Sequence, residues 1–159
     1  MTRPRLQIVR GLPGAGKSTF AVKNWPHLLH LEFDFFCMRG GLYAFGDKRN
    51  TEGQAWLAKL TEDTMIQGLD FVLCGVFAGN SEHLGRTVST ALKYGYDVWI
   101  KMLDGNFGNT HGVRQKDYDR MVADFLTNEQ LELIWRDYPR VHFGTMPTGY
   151  VIAPMKDGK

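Results

Sequence analysis

The chain has little cysteine, no long apolar run and almost no excess of charge of either sign. Its 159 residues include two cysteines, Cys37 and Cys74, with no CxxC pair. That excludes a disulfide framework and fits a reducing compartment. No apolar stretch approaches the roughly 18 residues of a membrane span. The apolar segment after Met1-Thr2-Arg3-Pro4-Arg5 is too short for a secretory signal, so a cytoplasmic protein without membrane contact is expected. Nineteen Lys and Arg against seventeen Asp and Glu leave a formal net charge of +2. Such a sum neither announces a nucleic-acid partner nor excludes one, because local patches outweigh totals. The basic pair Lys48-Arg49 is too short to be a nucleic-acid signature by itself. There is no internal repeat, low-complexity tract or linker. With 43% hydrophobic and 23% charged residues, one domain over residues 1–159 is expected, large enough to bury roughly 70% of its unfolded surface.

What is present is an alternation of elements. Leu6 to Val9 reads as a buried strand, Ser18 to Asn24 as a short helix stopped by Trp25-Pro26, and His27 to Phe33 as a second strand with Asp34 at its carboxyl end. Gly40, Gly41 and Gly46 mark a loop. From Thr51 to Gln67, Ala55, Trp56, Leu60, Met65 and Ile66 come at mostly helical spacing. "DFVLCGVF", Asp70 to Phe77, is nearly continuous in apolar residues, as a strand covered on both faces should be. A helix follows over Ser81 to Tyr94, with Ser81 as N-cap and Gly95 beyond its end, then a strand over Tyr96 to Leu103. Helices are expected at Gln115 to Phe125 and Asn128 to Tyr138, the second opened by a Thr127/Gln130 capping box. Val141 to Phe143 or Tyr150 to Ile152 supplies a last edge strand. Trp56, Trp99 and Trp135 fall at apolar positions and read as core. This order implies an α/β three-layer sandwich around a mainly parallel sheet.

The segment "RGLPGAGKST" sits between the first strand and the first helix. Gly11-Leu12-Pro13-Gly14-Ala15-Gly16-Lys17-Ser18 satisfies GxxxxGK[ST], and Thr19 follows. Glycines let backbone N–H groups turn inward on an anion, and a helix N-terminus adds about half a positive charge at the same spot. The pattern predicts that Gly11, Pro13, Gly14, Ala15, Gly16, Lys17, Ser18 and Thr19 cradle the phosphates of ATP. Lys17 would reach the β- and γ-phosphates, and the Ser18 hydroxyl would ligate Mg2+. The P-loop NTPase fold is therefore expected.

"RGLPGAGKST", "HLEFDFF", "ALKYGYDVWI" and "NTHGVRQKDYDRM" follow one another in an order and spacing that resemble the polynucleotide-kinase-like P-loop family, including its small phage and bacterial ATP-binding proteins. The likeness runs from about Leu6 to Phe125; "HGV" with a methionine eight residues past its valine is its more particular mark. The resemblance implies an ATP- and Mg2+-dependent kinase in which Asp34 takes the proton from an acceptor hydroxyl, with Glu32 as the weaker candidate for that role. It also implies a lid cation. Family arginines lie before "HGV", where Asp104 to Thr110 holds none, so Arg114 is assigned, with Lys116 and Arg120 next along the helix. His111 reads as a loop histidine with phosphate or adenine contact as the other account.

Two family features differ. Gln54 stands in "GQAWL" where relatives carry a histidine, and no acid follows the third strand, whose exit reads Gly75-Val76-Phe77-Ala78-Gly79-Asn80. Asp34 through water, or Asp104, would then serve magnesium. Three functions are carried forward: transfer of the ATP γ-phosphate to a polynucleotide hydroxyl, a small-molecule or nucleoside kinase on the same scaffold, and an ATP-binding protein without phosphotransfer.

Overall fold

The most apolar run before the glycine loop forms strand β1 (Arg5–Arg10), with all six residues buried. In the computed structural model of the chain it is the middle strand of a sheet, flanked and covered on every side, which explains why the run does not alternate. The structure describes residues 2–33, 38–39, 42–43, 47–77, 82–105 and 115–147, with backbone alone at 38–39, 42–43 and 47–50. After β1 come α1 (Lys17–Asn24), β2 (Leu29–Glu32), the short strands β3 (Met38–Arg39) and β4 (Leu42–Tyr43), and α2 (Asp47–Ile66). β5 (Phe71–Gly75), α3 (Glu82–Lys93), β6 (Asp97–Met102), α4 (Gln115–Asp124), α5 (Asn128–Trp135) and β7 (Val141–Phe143) complete the order. The main sheet runs β2-β5-β1-β6-β7, and every pairing in it is parallel. β3 and β4 pair antiparallel in a separate two-stranded sheet. The sheet expected to be mainly parallel is wholly so.

Strand periodicity sorts the core onto two faces. Leu6 and Ile8, with Phe71, Leu73, Leu31, Val98 and Ile100, face Leu57 and Met65 of α2, Leu84, Val88 and Ala91 of α3 and Leu131 and Trp135 of α5. Val9, Val72 and Cys74 face the other way, with Ala21 of α1, Trp25 and Met146. Each buried side chain of leucine or phenylalanine size contributes about 1.5–3 kcal/mol, so the two faces together dominate stability. Two polar side chains cross this apolar scheme on their own terms. Buried Gln7 donates to Ile8 O, Trp99 O and Gly144 O and accepts from Met146 N, and Arg5 binds Asp70 at 2.6 Å.

Several boundaries move by one to four residues. β2 starts at Leu29 rather than His27 and ends at Glu32, so the expected strand terminus at Phe33 is a turn. α2 begins at Asp47, four residues ahead of expectation. Its inward face is Gly53, Leu57, Thr61, Thr64 and Met65, whereas Ala55 and Ile66 are exposed. The apolar count missed this phase because threonines hold two buried positions. Thr64 donates its hydroxyl to Leu60 O at 2.8 Å and so carries no unsatisfied group inward. Trp135 is buried, while Trp56 and Trp99 are half-buried at the margins of the two clusters. The Thr127/Gln130 capping box is present in both directions. The last strand is Val141–Phe143, and the alternative at Tyr150 to Ile152 lies outside the described residues, as does Ser81. No helix among the described residues is long and apolar enough to cross a membrane.

Candidate functional site

Parallel pairing brings the carboxyl ends of the strands to one edge, where α/β sheets bind ligands. Register sets the edge: Arg10 lies opposite Gly75 and Met102, and Glu32 lies opposite Cys74. The glycine loop leaves β1 at this edge and turns into α1. Gly14 and Gly16 have φ of 86° and 89°, the left-handed region that glycine enters without a Cβ clash. Gly16 is the N-cap of α1 and brings no side-chain cap, so the first amides of the helix face the loop and not a serine or aspartate oxygen. Ala15 N donates to Leu12 O at 3.0 Å and closes the turn. The Lys17 ammonium folds back over the loop, donating to Gly11 O at 2.9 Å and Leu12 O at 3.1 Å. Gly11, Pro13, Gly14, Ala15, Gly16, Lys17, Ser18 and Thr19 thus follow one continuous turn from β1 into α1, with Ser18 and Thr19 exposed on the first turn of the helix. A polyphosphate fits its donors and charge.

The carboxylate that meets Ser18 comes from β2, one strand over from β5. Ser18 Oγ lies 2.7 Å from each oxygen of the Glu32 carboxylate, sharing its one proton between them. A hydroxyl whose proton points at a carboxylate leaves its lone pairs for a cation, which is what a magnesium-ligating serine requires. Glu32 is 6% exposed. Burial alone would raise its pKa, but hydrogen bonds from His30 and Ser18, with the charges of His30 and Lys17, outweigh burial and hold it below the usual carboxylate range. His30 Nε2 is 2.7 Å from the same carboxylate. The residues thus needed to keep Glu32 ionised are its strand neighbour and the loop itself.

The third strand, β5, ends where P-loop proteins commonly carry an acid, and its last residue is Gly75. A Cβ there would meet the Phe77 ring at 2.8 Å, and Phe77 reaches that position with φ of 43°, uncommon for a non-glycine residue. The Phe77 ring fills the space that an acidic side chain at this strand end would use. Glu32, one strand over, occupies the vicinity of Ser18 instead. Sequence reasoning had Glu32 only as a weaker base candidate. The available signal was the i, i+2 spacing of His30 and Glu32, which puts both on one face of β2.

Arg10 has no role in the sequence reading, although an arginine ending an apolar strand marks it. It is fully buried. Its Nε donates to Phe77 O at 2.8 Å, and its two terminal nitrogens to Asn128 Oδ1 at 3.1 Å and Leu126 O at 2.6 Å. Its guanidinium lies 4.2 Å over the Phe125 ring, and burial lowers its pKa to about 10. Arg10 therefore ties the root of the loop to the exit of β5 and to the α4–α5 junction.

Asp34, Arg114 and His111 lie outside the described residues. Asp104 is exposed beyond the end of β6, and Lys116 and Arg120 are exposed on α4, Arg120 3.8 Å from Asp117. Gln54 is half-buried on α2.

The all-parallel main sheet, the β5–β1 adjacency and the glycine loop opening α1 make up the P-loop NTPase fold. Comparison with known proteins agrees at the level of fold. The chain is similar to a chain of the Pnkp1/Rnl/Hen1 RNA repair complex, with a TM-score of 0.60 and 20% identity over 82% of this chain and 47% of that one. It is similar also to a candidate kinase of Chloroflexus aurantiacus, with a TM-score of 0.52 and 20% identity over 65% of this chain and 60% of that one. The chain thus spans about half to three-fifths of these structures. A curated relative, an uncharacterized protein of Pasteurella multocida (strain Pm70), is 28% identical over 123 residues, 68% of this chain and 69% of its own length. No protein-family profile matches the sequence.

Proposed function

We propose that the protein is an ATP-dependent phosphotransferase that moves the γ-phosphate to a polynucleotide hydroxyl, the 5′-hydroxyl being the expected acceptor. The observation that carries the reading is the Ser18–Glu32 pair. It supplies a buried, ionised carboxylate at the magnesium-ligating serine and so meets the need left by the missing acid on β5. ATP would supply the phosphoryl group, and Mg2+ would neutralise charge on its β and γ oxygens. Backbone amides of Gly14 to Ser18 bind the phosphates, Lys17 swings from Gly11 O and Leu12 O to contact them, and Ser18 holds the metal. Glu32 orients the Ser18 hydroxyl that would hold the ion, and its negative charge would favour a cation there. Asp34, two residues beyond Glu32, takes the acceptor proton, and Arg114 is the lid cation. The structural likeness to a chain of an RNA-repair complex supports a polynucleotide acceptor.

The test is incubation with γ-labelled ATP and a panel of 5′-hydroxyl oligonucleotides, nucleosides and small alcohols, resolved by thin-layer chromatography. Label on oligonucleotide alone is expected. Label confined to nucleosides or small alcohols would replace the acceptor, and ATP binding without transfer to any of them would make the protein a binder.

A further inference from the structure

Beside the oxygen pair of Ser18 and Glu32 lie two side chains that magnesium has no use for. His30 and Glu32 share one face of β2, and Cys74 is the register partner of Glu32 on β5. One donor atom from each, an imidazole nitrogen, a carboxylate oxygen and a thiol sulfur, lie within 4.8 Å of one another. His30 and Glu32 side chains are 16% and 8% exposed, and Cys74 is 2% exposed. Tetrahedral zinc, with bonds of roughly 2.0–2.3 Å, holds its ligands about 3.3–3.7 Å apart. Donors already gathered this closely reach that geometry by shifts of about an ångström or less: the widest separation closes by that much, and His30 Nε2 and the Glu32 oxygen, now 2.7 Å apart, open to admit the ion. Their chemistry separates them from a magnesium site: Mg2+ takes oxygen ligands, whereas nitrogen and thiolate ligands select zinc and its neighbours in the first transition row.

We propose that His30, Glu32 and Cys74 form a site for a soft divalent cation of the zinc type, and that its occupancy excludes magnesium from Ser18. Glu32 is the shared ligand. A cation bound to His30 Nε2, Cys74 Sγ and a Glu32 oxygen draws the carboxylate off the Ser18 hydroxyl, and the thiol proton of Cys74 leaves to solvent on binding. The fourth position stays open to water, as in three-ligand zinc sites. The cation site itself stands on β2 and β5 alone; only its effect on nucleotide binding rests on the reading of Ser18 as a magnesium ligand.

Cobalt(II) titrated into the full-length protein, without nucleotide, reads the site independently of activity. One equivalent of Co2+ should give thiolate-to-cobalt charge-transfer absorption in the near ultraviolet and visible bands of a four-coordinate ion, both bleached by one equivalent of Zn2+. Cys74→Ser should abolish the charge-transfer absorption, Cys37→Ser should keep it, and His30→Gln should weaken binding by about tenfold or more. Wild-type protein without thiolate–cobalt absorption, or absorption that survives Cys74→Ser with circular dichroism unchanged, overturns the site. A second titration measures Mg·ATP affinity with and without one equivalent of Zn2+. A fall with zinc in wild type and none in His30→Gln supports the exclusion. Cobalt binding with unchanged Mg·ATP affinity overturns the exclusion and leaves the site.

Discussion

The Ser18 hydroxyl on the first turn of α1 and the Glu32 carboxylate at the end of β2 are 14 residues apart in the chain and in contact through both carboxylate oxygens at 2.7 Å. That contact ties the glycine loop to the strand two positions removed from it in the sheet. If it aims Ser18 at a metal ion, Glu32→Gln should act on magnesium and not on the nucleotide. The amide of glutamine can donate to Ser18 and turn its hydroxyl proton outward. Affinity for Mg·ATP should fall about 10- to 100-fold, with affinity for ATP in the presence of a chelator nearly unchanged. Calorimetry with and without Mg2+ reads both, and equal losses in the two would assign Glu32 to the loop's shape.

The same carboxylate should leave a mark on stability against pH. Its pKa in the folded protein lies below the ordinary 4.5, so its stabilisation is fully present above the unfolded value and fades as pH falls through the folded one. Glu32→Gln removes the titration. The difference in urea midpoint between wild type and Glu32→Gln should therefore be largest above about pH 5 and shrink below about pH 4. A difference independent of pH over that range would contradict the assignment.

How much of this was legible in the sequence depended on whether the signal was local. The glycine loop was, because GxxxxGKS fixes backbone geometry within eight residues, and Thr127 with Gln130 was, because a capping box spans one turn. β1 and β5 were legible as apolar runs. The phase of α2 was not, because Thr61 and Thr64 are buried where a hydropathy count expects exposure. The partner of Ser18 was not legible either. Finding Glu32 required the strand order β2-β5-β1 and its register, which no local pattern contains. Nor does sequence show that the Phe77 ring closes the space beside Gly75.

In the proposed nucleotide site Lys17 would contribute charge and its neighbours the amides. Lys17→Ala should weaken ATP binding severely and abolish turnover, while leaving the thermal midpoint within a few degrees of wild type, since the side chain lies outside both apolar clusters of the core. Unchanged ATP affinity by calorimetry would remove the loop from the nucleotide site.

Arg10 is the polar rivet of the fold and Thr127 a local cap, and their losses should differ in size. Arg10→Ala strands the carbonyls of Phe77 and Leu126 and the Asn128 side chain, at about 1–3 kcal/mol for each buried group left unsatisfied. A total loss of roughly 3–5 kcal/mol is expected, against about 1 kcal/mol for Thr127→Ala. Urea denaturation of the two variants checks the order; equal losses would mean that water replaces the guanidinium at little cost.

The most direct test of phosphotransfer is paired measurement of Mg·ATP affinity and γ-phosphate transfer to a 5′-hydroxyl oligonucleotide, in wild type and in Asp34→Asn. The substitution keeps the shape of Asp34 and removes its basicity. Transfer should fall by a factor on the order of 10² to 10⁴, with Mg·ATP affinity nearly unchanged, because in the proposed site Ser18 with Glu32, and not Asp34, would hold the metal. A fall in both together would make Asp34 a metal partner, and full transfer by Asp34→Asn, or none by wild type, would contradict the phosphotransfer mechanism.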